Sequence, residues 1–150
     1  MKTLQELFNN ISNLLNEGKE LKELIPLVGE YCGDDWKEYI NFSVDRYTRN
    51  LVYRNDKCDI LVICWNKNQV SGIHDHPDNG CILRVMDGEL IEQVYDNDHL
   101  IKVNKCCKND ISFQKGKKGL HNIINGNNET VSIHVYSPPN YKPCFSHPVL

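Results

Sequence analysis

No stretch of this chain approaches the roughly 20 consecutive apolar residues that a membrane-spanning helix needs, so no membrane partner is expected. The first ten residues, "MKTLQELFNN", lack the apolar core of a secretory leader. A basic excess is missing too. Lys and Arg number 17 against 20 Asp and Glu, for a net charge of −3 with the signs intermixed, which argues against a nucleic-acid partner. Repeats, linkers and low-complexity tracts are also wanting, and 150 residues are enough to bury a real core. One domain over 1–150 is expected. Seven cysteines cannot all pair with one another, and without a leader they read as mostly free thiols in a reducing, cytoplasmic setting.

What is present changes period once. Leu4, Leu7, Phe8, Ile11, Leu14 and Leu15 recur at three and four residues and mark one face of a helix. Thr3 with Glu6 suits a capping box at its start, and Gly18 its stop. A second helix is predicted over 21–28, bent or ended near Pro26, and a short third over 34–39. From about Asn41 the period becomes two. "ILVICW" (60–65) suits a buried strand; "ILRVM" and "ELIEQVY" flank Asp87-Gly88, a strong hairpin signal. "LIKV", "DISFQ", "LHNII" and "TVSIHVY" continue the series, with a turn over 125–128. About eight short strands after a helical lead-in predict a mainly β fold, a sandwich or small barrel. The boundary is placed between a lead-in at 1–40 and a barrel at 41–150.

The segment "GIHDHPDNGC" (72–81) spends two of six histidines in His-x-His spacing. Residues two apart on a strand share a face, so His74 and His76 can aim at one point, and imidazole is the common neutral ligand for iron and zinc. His121, on a later strand, can face them across a barrel as a third nitrogen. In "VSIHVY" (131–136) Val131, Ile133 and Val135 point one way, and Ser132, His134 and Tyr136 the other. Periodicity alone leaves two readings of that polar face: solvent, or the lining of a pocket.

Five segments in order, "YTRNLV" (47–52), "ICW" (63–65), "IHDH" (73–76) with Cys81 beyond it, "GLH" (119–121) and "HVYSPP" (134–139), resemble the cysteine dioxygenases, thiol dioxygenases of the cupin superfamily. The resemblance covers roughly residues 41–144, and the helical N-terminus suits the family's layout. It implies a small cupin-type jelly-roll barrel that holds one mononuclear, non-haem Fe(II). His74, His76 and His121 would be the ligands. Where many cupins add a glutamate ligand, Cys81 stands, leaving a neutral face with open positions for thiolate, amine and dioxygen. The implied reaction takes L-cysteine and O2 to cysteine sulfinic acid.

Arg49 is the residue implied to bind the substrate carboxylate through its planar fork, steadied by Tyr47. Cys81 and Tyr136 are the pair implied to join as a thioether, with His134 hydrogen-bonding the Tyr136 hydroxyl and Ser132 extending that chain. Cys32, Cys58, Cys106 and Cys107 carry no ligand spacing; Cys64 reads as core, Cys144 as a pocket-entrance residue by analogy, and His99 and His147 as solvated. Asp75 alternates away from the two histidines. Gly80 stands where animal members carry a histidine, and only eleven residues follow "YSPP" where those members continue. The expected consequences are a more open entrance and a bare sheet edge, in a monomer or weak homo-oligomer. Two other readings stand beside this one. One is a dioxygenase for another small thiol such as 3-mercaptopropionate. The other is a non-catalytic metal-binding cupin.

Overall fold

The structure is a computed structural model that describes residues 1–146, so His147 lies outside the described residues. Helix α1 spans Leu4–Asn16 and buries Leu4, Leu7, Phe8, Ile11 and Leu15. The Thr3 hydroxyl accepts the Glu6 N–H at 3.1 Å, satisfying one of the donors that every helix start leaves free. Gly18 follows the helix at φ +91°. The second predicted helix divides: a 3-10 turn over Leu21–Leu24 leads into α2 at Ile25–Glu30. Pro26 therefore opens α2 instead of ending a helix, because its missing N–H costs nothing in a first turn. Asp35–Tyr39 forms a second 3-10 turn.

Ten strands follow among the described residues. They are β1 Thr48–Arg54, β2 Asp59–Trp65, β3 Ile73–His74, β4 Gly80–Asp87, β5 Leu90–Asp96, β6 His99–Cys106, β7 Ile111–Gln114, β8 Leu120–Asn125, β9 Thr130–Ser137 and β10 Phe145–Ser146. They form two antiparallel five-stranded sheets, ordered β1-β2-β9-β4-β7 and β10-β3-β8-β5-β6. The expected barrel is thus a two-sheet jelly roll whose hydrogen bonding does not run continuously around a ring. Asp87-Gly88 corrects a second expectation: it is not a hairpin. Strand β4 is already paired with β9 and with β7, so neither of its edges is free for β5. The chain instead turns through Gly88 at φ +84° and crosses to the other sheet. There β5 pairs with β6 and β8, and Asn97 at φ +54° makes the true hairpin.

The first sheet is covered on both faces. Ile60, Val62, Cys64, Ile82, Ile133 and Val135 pack under the helices with Leu7, Ile11 and Leu21. Their neighbours Leu61, Ile63, Trp65, Cys81, Leu83 and Tyr136 turn to the second sheet and meet Leu90, Cys106 and Ile123. Each fully buried aliphatic side chain contributes about 1.5–3 kcal/mol. This double cover decides the question left open for β9: all eight of its residues are buried, so Ser132 and His134 do not face solvent. No helix of the described residues is long and apolar enough to cross a membrane.

Candidate metal centre and substrate pocket

Register brings the three histidines together. His74 on β3 pairs directly with His121 on β8. His76, just past β3, is drawn in by its own N–H, which bonds the Gly116 carbonyl at 3.1 Å. The Nε2 atoms of His76 and His121 lie 2.9 Å apart, and those of His121 and His74 3.2 Å apart. Two imidazole nitrogens about 2.1 Å from one ion and at right angles stand about 3 Å apart, which is the spacing seen.

The other ring nitrogens explain why this arrangement calls for a cation. Nδ1 of His74 lies 2.8 Å from the Gly72 carbonyl, Nδ1 of His76 2.5 Å from the Gly119 carbonyl, and Nδ1 of His121 2.8 Å from the Glu92 carboxylate. Each partner is an acceptor, so each Nδ1 carries the proton and donates it. The three Nε2 lone pairs are left bare and pointed at one another. Burial first, then the neighbouring His121, pushes His74 down to about 4 and His76 down to about 2, so both are neutral ligands at neutral pH. A metal ion between the three nitrogens would resolve the repulsion. The residues fit the group.

Beside the triad runs a buried polar chain. Trp65 donates its indole N–H to the Ser132 oxygen at 3.0 Å, so the Ser132 hydroxyl is free to donate to His134 Nε2 at 2.8 Å. With the hydroxyl donating there, the His134 proton sits on Nδ1, which faces the Tyr136 hydroxyl at 3.5 Å and the Cys81 sulfur at 3.9 Å. Burial, with Arg49 next in effect, holds His134 well below its ordinary range. Burial likewise pushes both the Tyr136 phenol and the Cys81 thiol up, so both are protonated at neutral pH. Cys81 and Tyr136 sit directly opposite each other on β4 and β9, the closest relation two strands offer.

A cavity of about 590 Å³ opens on this chain, walled by Tyr47, Arg49, Leu61, Tyr136 and the 140–145 segment. The exposed guanidinium of Arg49 stands over the Tyr136 ring, 5.3 Å from its centre. Tyr47 stacks on Trp65 at 4.6 Å. Phe145, also on the wall, lies 5.8 Å from the His74 ring. Arg49, Tyr47, Tyr136, Cys81, His134 and the three histidines thus gather in one region.

A profile of the family described as cysteine dioxygenase type I matches residues 1–147. The chain belongs to the cysteine dioxygenase type I family. It is 30% identical to the cysteine dioxygenase type 1 of Danio rerio over 155 residues, covering 93% of this chain and 73% of that protein. Against the Rattus norvegicus protein of the same name it is 35% identical over 115 residues, 70% of this chain and 58% of the relative. The fold is shared more widely. A Klebsiella pneumoniae protein with a double-stranded β-helix domain superposes with a TM-score of 0.65 at 21% identity, over 78% of this chain and 93% of that one. An RmlC-like cupin from Desulfovibrio desulfuricans gives 0.56 at 17% identity, over 73% and 99%.

Most of the other residues named from the sequence lie where that reading put them. Arg54 also reaches the cavity wall. A β-bulge between Leu51 and Tyr53 turns it to the cavity side, where it pairs with the buried Asp59 at 3.0 and 3.1 Å. Cys64 lies on the helix-facing side of β2, away from the site. Cys58 and Cys106 are buried, Cys32 and Cys107 exposed, and none of these is disulfide-bonded. Cys144 is exposed, and its N–H bonds Asp75 at 2.8 Å between two cavity-wall residues. Asp75 does turn away from the triad, and there it also accepts the Tyr141 hydroxyl at 2.9 Å. His99 opens β6, exposed beside Asp98. Gly80 has φ +110°, and a Cβ there would come within 2.6 Å of the Phe113 ring, so this chain has no room for a side chain at that position. Glu92 and Trp65 are among the contributors that the sequence reading did not assign to the site.

Proposed function

We propose that this chain is an iron-dependent dioxygenase that oxidises the thiol of L-cysteine with O2 to cysteine sulfinic acid, both oxygen atoms ending on sulfur. The observation that carries the reading is the trio of bare Nε2 lone pairs at 2.9 and 3.2 Å in a chain of this family. His74, His76 and His121 would hold the metal. A structural zinc site normally closes its shell with four protein ligands, often thiolates, whereas three imidazoles leave positions open. When bound there, ferrous iron supplies those open positions and the redox chemistry that joins sulfur to dioxygen.

The chain's own residues do the rest. Arg49 would take the substrate carboxylate in two parallel hydrogen bonds and so fix which way the thiol points. Leu61, Tyr47 and Phe145 line the wall around it. The Trp65–Ser132–His134 chain holds the Tyr136 hydroxyl as an acceptor from Nδ1, which leaves the phenolic proton free to point into the pocket. Tyr136 would present that proton to the oxygen-bearing product as charge develops on it. Joining Cys81 sulfur to the Tyr136 ring would remove one thiol hydrogen and one ring hydrogen, a two-electron oxidation with dioxygen as acceptor. The link would lock the phenol in place and retire a competing thiol. One domain of this size carries the whole site.

The test is oxygen uptake by anaerobically iron-loaded protein offered L-cysteine, 3-mercaptopropionate and cysteamine in parallel, with products identified by mass. Sulfinate from L-cysteine is expected, and none from cysteamine, which has no carboxylate for Arg49. Faster turnover of 3-mercaptopropionate, whose carboxylate Arg49 would accept equally, would reassign the substrate. No uptake with any thiol would leave a non-catalytic cupin.

A further inference from the structure

We propose that Glu92 is the anionic partner of the metal centre, acting through His121: the carboxylate that a two-histidine facial site binds directly stands here one imidazole further out. The inference rests on the reading of His74, His76 and His121 as metal ligands. Glu92 is a positioning residue in this account, since it touches His121 and not the reacting atoms.

Glu92 is 2% exposed and lies on β5 between the two sheets. Its Oε2 accepts the His121 Nδ1–H at 2.8 Å and the Ser112 hydroxyl at 2.5 Å, and its Oε1 accepts the Asn104 amide at 3.0 Å. Donors from β6, β7 and β8 thus hold one carboxylate from three sides. Among the described residues its one ion-pair partner is His121. A buried carboxylate without a nearby positive charge is costly, and so is a converging trio of lone pairs without a cation. One ion at the Nε2 cluster answers both, because the two features share the His121 ring.

The three ligands are not equivalent. His74 and His76 donate to neutral backbone carbonyls, whereas His121 donates to an anion. A full negative charge on the far side of the ring makes Nε2 a stronger electron donor and orients the ring about its hydrogen bond. In sites with two histidines and one carboxylate, that charge comes from a ligand. The neutral face needed to leave positions open can thereby keep a compensating anion nearby.

Ferrous affinity and the reduction potential of the bound iron, both measured without thiol, test this independently of turnover. Glu92→Gln keeps the size and an acceptor oxygen but removes the charge. It is expected to weaken ferrous binding by about 10- to 100-fold and to raise the potential. Ser112→Ala removes the hydroxyl that competes with His121 for Oε2, so the carboxylate pulls harder on Nδ1–H. The potential should then move the opposite way, downward. Affinity in Glu92→Gln within about twofold of wild type, against the 10-fold or more expected of such partners, would overturn the proposal. So would a Ser112→Ala potential that rises or stays put, and that result decides the matter alone if Glu92→Gln does not fold. A wild-type protein that binds no ferrous iron would instead overturn the ligand reading on which the proposal rests.

Discussion

Ser132→Ala deletes a single oxygen, yet two buried groups depend on it. In the native chain Trp65 Nε1–H donates to Ser132 Oγ at 3.0 Å, and the hydroxyl donates onward to His134 Nε2 at 2.8 Å. Trp65, Ser132 and His134 are all buried, and alanine offers neither group a replacement. Each orphaned polar group costs about 1–3 kcal/mol, so the pair should cost about 2–6 kcal/mol. For a domain of this size each kcal/mol lowers Tm by about 2–4 °C, which sets a minimum fall of about 4 °C. Denaturant unfolding of the metal-free protein measures the loss without interference from ligand binding. Trp65→Phe supplies the control, since it removes the donor that Ser132→Ala leaves stranded. In the double variant only His134 Nε2 is orphaned, so the two losses should fall short of additivity by about 1–3 kcal/mol. The same substitution frees His134 to move its proton to Nε2, which 15N NMR of the ring reads directly. A Ser132→Ala loss below about 0.5 kcal/mol, or strict additivity with Trp65→Phe, would refute the hydrogen-bond chain.

Three other outcomes are expected. Arg49→Lys keeps the charge but replaces the fork with a point donor; losing one charge-assisted bond of about 1.5–3 kcal/mol should lower kcat/KM for L-cysteine by about 10- to 150-fold, mostly in KM, and a change under about threefold would remove Arg49 from the carboxylate. Intact mass after aerobic turnover with iron should show a species lighter by about two hydrogens, and Cys81→Ala should abolish it. The third concerns pH. His134, His74 and His76 have depressed proton affinity when folded, so the unfolded chain binds more protons below about 6.5. Stability of the metal-free protein should therefore be level above that pH and fall below it, by up to about 1.4 kcal/mol per pH unit for each imidazole. A level urea midpoint between pH 6.5 and 5 would contradict their burial as neutral rings.

The metal triad was legible because its signal is local in type: His-x-His, and one further histidine on an alternating strand. Its convergence also needed register, which a turn sets and the sequence does not spell out. Asp87-Gly88 misled because turn chemistry reports a reversal, not whether the preceding strand has an edge left to pair. Arg54 reaches the cavity side because a bulge shifts the alternation of β1 by one residue, and nothing in "NLVYR" announces it. Glu92 did leave a trace. Leu90, Glu92 and Val94 alternate together, which puts a carboxylate on the apolar face of its strand. Its partners Ser112 and Asn104 come from strands β7 and β6, so the alternation alone could not tell a functional acid from a misplaced one.

The sheet covered on both faces has a consequence for how such a site can change over time. Along β2 and β9, successive residues belong to different compartments: Ile60, Val62, Ile133 and Val135 to the helical side, Leu61, Ile63, His134 and Tyr136 to the pocket side. A one-residue step separates what holds the chain together from what shapes the chemistry. Selection for a new thiol can work on the cavity-wall positions, such as Leu61 on β2, while Trp65 and Ser132 and the helix-facing neighbours stay fixed. A library confined to the cavity wall samples specificity with the helix-facing layer left intact.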